Sequence, residues 1–237
     1  MTGTDATILD TAPAAPARKR LVGAVVAEAT GTAMLVAAIV GSGIAADHAF
    51  PNSPGLALLA NAIATGTVLA ALITALGPVS AAFNPLVTLL DLASCRTTAR
   101  RALAVIAAQL AGASVGVVSA NTMFALPPLT LASTDRATGP TFLSETIATT
   151  GLLLLIALTS RTRDPLRVGV TVGGYITAAM WFTSSTAFAN PAVTLARIGT
   201  DTFTGISPTS AAMFLAAQAL ALPIVYLLTR LITRRTP

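Results

Sequence analysis

Apolar positions gather into six long stretches, about 21–43, 56–76, 102–120, 142–160, 166–183 and 208–230, and polar residues, Pro and Gly collect between them. About 20 largely apolar residues is the length a helix needs to cross the hydrocarbon core of a bilayer. Each stretch is therefore predicted to be a transmembrane helix. Two shorter apolar segments, about 84–95 and 190–198, follow the second and fifth stretches. They are too short to span. They read as re-entrant or interfacial segments, which survive at membrane depth only where protein or a water-filled cavity covers their backbone.

Composition agrees. The chain of 237 residues is 54% hydrophobic and 10% charged, with a mean hydropathy of +0.78. Soluble domains carry roughly 25% charged residues. Six spans fill the length and leave no room for a soluble catalytic domain, so the fold class is an all-α membrane protein. Residues 1–17 are rich in Ala, Pro and Thr and lack a basic segment ahead of an apolar core, unlike a signal peptide. A disordered cytoplasmic tail is expected over 1–19, followed by a membrane domain over 20–232 whose first span is an uncleaved insertion signal.

The net charge of +5 raises the question of an anionic partner, and its distribution answers it. Arg18, Lys19 and Arg20 precede the first span. Arg96, Arg100 and Arg101 lie between spans two and three. Arg161, Arg163 and Arg167 lie between spans four and five, and Arg230, Arg234 and Arg235 close the chain. Six spans put all four groups on one side, with only Arg136 and Arg197 opposite. By the positive-inside rule the crowded side is cytoplasmic and holds both termini. The basic balance is a topology signal, so no nucleic-acid partner is called for. The expected location is the inner (plasma) membrane, with several passes.

The chain also repeats itself. AEATGTAMLVAAIV (27–40) and FNPLVTLL (83–90) in the first half answer SETIATTGLLLLIA (144–157) and ANPAVTLA (189–196) in the second. Each half, about 20–120 and 141–232, holds three spans and one short segment. An odd number of spans per half makes the two copies insert in opposite senses, and such inverted repeats place their site at the repeat interface near the midplane.

The chemistry centres on Asn84-Pro85-Leu86 and Asn190-Pro191-Ala192. Asn is a favoured helix N-cap and Pro a favoured first helical residue. Each motif should start a short helix, and the two starts should meet mid-membrane with their positive dipole ends and Asn amides facing a pore. A lone Asn-Pro would read as a turn; two copies, each followed by Val-Thr-Leu after one residue, do not. Glu28 and Glu145 are the only acids deep inside apolar spans, and a carboxylate there is costly and marks function.

With these motifs in hand, the chain resembles the aquaporin and aquaglyceroporin family over about residues 20–232. The resemblance implies six tilted helices with two half-helices forming a seventh position, and a homotetramer with one pore per subunit. Asn84 and Asn190 match the family's pore asparagines. Glu28 and Glu145 match its buried glutamates, which brace the re-entrant loops; a proton relay is the competing role. The family's four constriction positions fall on Thr65, Ala178, Ala187 and Val193. Val193 stands where the family normally has arginine, Arg197 follows one turn later and reads as a solvated loop charge, and Leu86 replaces alanine in the first motif. A ring with no aromatic, histidine or arginine resembles that of bacterial aquaglyceroporins associated with arsenic resistance.

The function expected is therefore passive conduction of small neutral solutes: glycerol, water, and arsenous acid or methylated arsenicals. A polyol facilitator without an arsenic role and a secondary transporter are the alternatives. No enzyme activity, cofactor or metal site is expected, since one cysteine and one histidine build no Cys/His cluster. Cys95 reads as an inert buried thiol, Trp181 as an interfacial anchor, and His48 as an external-loop residue without a gating partner.

Overall fold

A computed structural model describes residues 17–233. The tail expected over 1–19 lies mostly outside these residues, as do Arg234 and Arg235; residues 17–19 already belong to the first helix. Eight α-helices follow in order: α1 Ala17–Ala49, α2 Pro54–Leu76, α3 Pro85–Ala93, α4 Ala99–Met123, α5 Gly139–Thr159, α6 Pro165–Phe182, α7 Pro191–Ala196 and α8 Pro208–Thr233. The six long ones cover the six apolar stretches, and α3 and α7 are the two short segments. Among the described residues, α1, α2, α4, α5 and α8 are long and apolar enough to cross a membrane. The remaining long helix, α6, has 18 residues and lies packed along α2. The first helix runs past the expected 43 to Ala49, so His48 sits in its last turn, exposed, and not in a loop.

The starts follow the residues. Six helices have Pro in the first turn behind a capping position. Pro lacks the N–H that would be unpaired there, and its fixed φ suits a helix. Asp164 caps α6 by accepting from Leu166 N and Arg167 N, and Thr98 caps α4 through Arg101 N.

The packing has two-fold character. α1 packs on α2 and α4, and α5 packs on α6 and α8; α2 and α6, equivalent in the two halves, pack on each other. Glycine permits the two tightest crossings. A Cβ on Gly112 would lie 2.2 Å from the Ala29 carbonyl, and one on Gly116 2.5 Å from that of Ala33. Between α2 and α6, a Cβ on Gly173 would lie 2.3 Å from the Gly66 carbonyl. Lipid supplies no hydrophobic drive between helices, so such backbone approach holds membrane bundles together. Basic residues from separate parts of the chain come together. Arg96 and Arg230 line one pocket, and Arg101 and Arg163 flank the mouth of another. The outer surface carries large apolar side chains such as Leu103, Val170 and Leu227, as expected of faces turned to lipid or to other copies.

Candidate functional site

The two half-helices meet start to start. The Asn84 side chain accepts from Leu86 N at 2.9 Å, and that of Asn190 from Ala192 N at 3.0 Å and Val193 N at 3.4 Å. Their amide nitrogens then cross over. Asn84 Nδ2 donates to the Ala189 carbonyl at 2.8 Å, and Asn190 Nδ2 to the Phe83 carbonyl at 2.7 Å. Each Asn oxygen is spent on its own helix, and one proton of each amide is spent on the opposite loop. An amide nitrogen carries two protons, so each Asn keeps one donor and no easy acceptor. Both line a common cavity.

Phe83 and Ala189, just before the two asparagines, each have φ of 47°. This left-handed region is unfavourable for residues with a side chain, at about 1–3 kcal/mol each, and persists where the surroundings over-determine it. The determinants are the buried glutamates. Glu28 Oε1 accepts from Ser80 Oγ at 2.6 Å and Ala82 N at 2.9 Å, and Oε2 from Phe83 N at 2.8 Å and Gln109 Nε2 at 2.9 Å. Glu145 accepts from Phe188 N at 3.2 Å, from Ala189 N, and from Gln218 Nε2 at 2.8 Å. The same glutamine nitrogens reach Thr88 Oγ1 at 3.2 Å and Thr194 Oγ1 at 2.8 Å, one turn into each half-helix. Each half thus ties a carboxylate on its first long helix, a glutamine on its last, and a half-helix into one network. Both carboxylates have no exposed surface and neither lines the cavity.

Gln109 and Gln218 escaped the sequence reading. They are the only glutamines in the chain, and each interrupts an apolar run, in AAQLA and AAQAL. That signal was available, because a buried amide needs partners.

The cavity holds about 500 Å³. It runs from Arg101, Arg163 and Asp164 at the basic end, past Asn84 and Asn190, to Ala187, Val193 and Arg197. Aliphatic side chains such as Leu69, Ile73, Val172 and Ile176 form much of its wall. Of the four constriction positions carried over by spacing, Thr65, Ala187 and Val193 are buried and line it; Ala178 does not, and lies exposed on another face of α6. The lining positions of α6 are Pro165, Val168, Val172, Ile176 and Met180, which recur every three or four residues and so share one face. Met180, two residues beyond Ala178, is the last of them before α7.

Three more expectations are corrected. Arg197 is no solvated loop charge: it is 4% exposed and lines the cavity. With Met180 and Phe188 also lining, the outer end has both an aromatic and an arginine. Cys95 is exposed, not buried. Leu86 is buried among Leu90, Leu153 and Val225, off the cavity wall. Pro85 and Pro191 open α3 and α7, Ala192 is buried, and Trp181 is largely exposed near the end of α6.

The comparisons agree with this geometry. The family model described as "Major intrinsic protein" matches residues 17–184. The chain is 51% identical over 197 residues, 82% of this chain and 83% of the relative, to a protein of Rhizobium meliloti (strain 1021) named Aquaglyceroporin AqpS. Its fold is similar to the X-ray structure of the aquaglyceroporin from Plasmodium falciparum, with a TM-score of 0.68 and 19% identity, covering 90% of this chain and 97% of that one. Six long helices, two half-helices meeting at paired asparagines and a matching family model lead to one conclusion: the chain belongs to the major intrinsic protein family, whose members are membrane channels for small solutes and not enzymes.

Proposed function

We propose that the channel is of aquaglyceroporin type, passing glycerol, water and other small uncharged solutes, arsenous acid among them. The carrying observation is the pair Asn84 and Asn190. Their oxygens are committed to helix starts, so they offer donors but no free acceptor to whatever lies between them. A hydroxyl oxygen can accept from both. A cation meets two N–H dipoles and two helix N-termini, all of the wrong sign. The aliphatic wall opposite suits the carbon side of a polyol. The half-identical relative carries the name aquaglyceroporin, which supports a pore wider than one for water alone.

The working unit in this reading is a homotetramer with one pore per subunit. It sits in the inner (plasma) membrane with both termini cytoplasmic, as the clustering of basic residues at one end favours. Residues 20–232 form the channel domain. The test is stopped-flow uptake by vesicles carrying the purified protein, with water, glycerol and arsenous acid as solutes. Glycerol and arsenous acid should enter well above the rate of empty vesicles. Water permeation alone would reduce the reading to a strict water channel.

A further inference from the structure

The outer end of the cavity carries a guanidinium that position 193 does not supply. Val193 and Arg197 are four residues apart where α7 runs on into a single turn of 3-10 helix, Arg197–Gly199. That spacing puts both on one face, about 6 Å apart along the axis, and both line the cavity. Resting on the channel reading above, we infer that Arg197 is the selectivity residue of the outer constriction, repelling cations and donating hydrogen bonds to passing uncharged solutes.

The surroundings hold this side chain as a functional group would be held. Its guanidinium carbon lies 3.5 Å above the centroid of the Phe188 ring. Phe188 is itself fixed, by an edge contact with Phe214 at 5.1 Å and by its backbone N–H on Glu145. Arg197 Nε donates to the Thr204 carbonyl, and Ile206 N donates to the Arg197 carbonyl at 3.3 Å. The loop before α5 closes over this segment, with Thr130 N on the Gly199 carbonyl and Ala132 N on that of Ile198.

What the side chain lacks is equally informative. Among the described residues, the one ion pair joins Arg96 to Asp91, at the other end of the molecule. A second cation, Arg136, lies 5.7 Å from the Phe188 ring, and the nearby carboxylate of Glu145 is taken up by the N–H groups of Phe188 and Ala189 and by Gln218 and makes no ion pair with Arg197. The terminal nitrogens of Arg197 make no hydrogen bond to any described residue. An arginine has five N–H donors and stays charged, so one is spent and four face no protein partner. A buried charge needs compensation, and the cavity beside it is where water or solute can supply it. An arginine serving only to anchor the loop would need its Nε alone and would gain from a neighbouring acid. Here the guanidinium stacks on the Phe188 ring, has no ion pair among the described residues, and lines the cavity.

The test uses the full-length protein in vesicles, reading water, glycerol and sodium fluxes together. Arg197→Gln should raise sodium leak by about tenfold or more, since a unit charge at the constriction is removed, and should alter the glycerol-to-water ratio. Unchanged leak with an unchanged ratio would overturn the inference. A second arm starts from Cys95→Ser, which leaves the chain free of cysteine, and adds Arg197→Cys. A cationic methanethiosulfonate should restore cation exclusion, while a neutral reagent of similar size should not. Equal effects of the two reagents would mean that bulk, not charge, acts there, and the inference fails. Phe188→Leu, which keeps Arg197 but removes its platform, should give an intermediate leak and serves if Arg197 variants do not assemble; a wild-type leak there also overturns it. If the unaltered protein passes neither water nor glycerol, the channel reading fails instead, a result distinct from all of these.

Discussion

Single residues decide how the pore centre is held. Gln109 joins Glu28 to Thr88, and Gln218 joins Glu145 to Thr194, through one amide nitrogen each. Gln109→Leu keeps most of the volume but removes a donor from a carboxylate with no exposed surface. Leaving a buried polar group short of a partner costs about 1–3 kcal/mol. The variant should lose thermal stability in detergent micelles, while its glycerol-to-water ratio stays near wild type, because Gln109 is off the cavity wall. Normal stability with altered solute ranking would remove the bracing role. Glu28→Gln should act more strongly, since its new NH₂ group would face either the Ala82 N–H or the Phe83 N–H, whichever oxygen it replaces. The residue scale is also where the sequence was least legible. The motif asparagines and both glutamates could be read from repeats, but Arg197 could not. A charge after a half-helix looks solvated until one sees the loops from 130 and 204 closing over it.

At the scale of elements, the spans were legible because apolar length is a strong signal, and each half-helix announced itself through its Asn-Pro start. The helix crossings were also written in the sequence, as Gly112-x-x-x-Gly116 and Gly169-x-x-x-Gly173, yet small residues alone do not say which helices they join. The structure pairs the first with α1 and the second with α2. Ala178 was misplaced for a related reason. Carrying a position over by spacing assumes a connection length, whereas the face of α6 is set by its fit to α2 through Gly66 and Gly173. This fit can be tested with a neighbouring control. Gly173→Ala puts a methyl against the Gly66 backbone, which cannot move aside, and overpacking of this kind costs about 1–3 kcal/mol. Gly174→Ala meets open space, with nothing within 4 Å. Thermal unfolding of the two in micelles should show a loss for the first and none for the second. Equal midpoints would mean that α2 and α6 do not approach as described.

At the scale of the whole molecule, the inverted repeat allows two kinds of transport, and the burial of charge separates them. A proton-coupled transporter needs an acid that exchanges protons with its substrate pathway. Glu28 and Glu145 have no exposed surface, lie off the cavity wall, and are each occupied by donors from the loop before a half-helix and from a glutamine on a long helix. The single histidine, His48, is exposed at the end of α1 and lines no part of the cavity. Histidine is the side chain whose ordinary titration falls between about pH 5 and pH 8, and the cavity's lining contains none. The acids of the outer loops titrate lower still. Hydrogen bonding from Ser210 holds the Asp135 carboxyl below its usual range, and bonds from Ser133 do the same for Asp201. A lowered carboxyl contributes stability that is present above its unfolded value and is lost as pH falls through the folded one. The outer loops should therefore keep their structure across neutral pH and loosen only in strong acid. Glycerol flux, measured with equal pH inside and outside, should be flat from about pH 5 to pH 8. It should also be indifferent to an imposed proton gradient, and His48→Ala should change neither result. Glycerol accumulating against its own gradient when protons are supplied would make Glu28 or Glu145 a coupling site and end the passive-channel account.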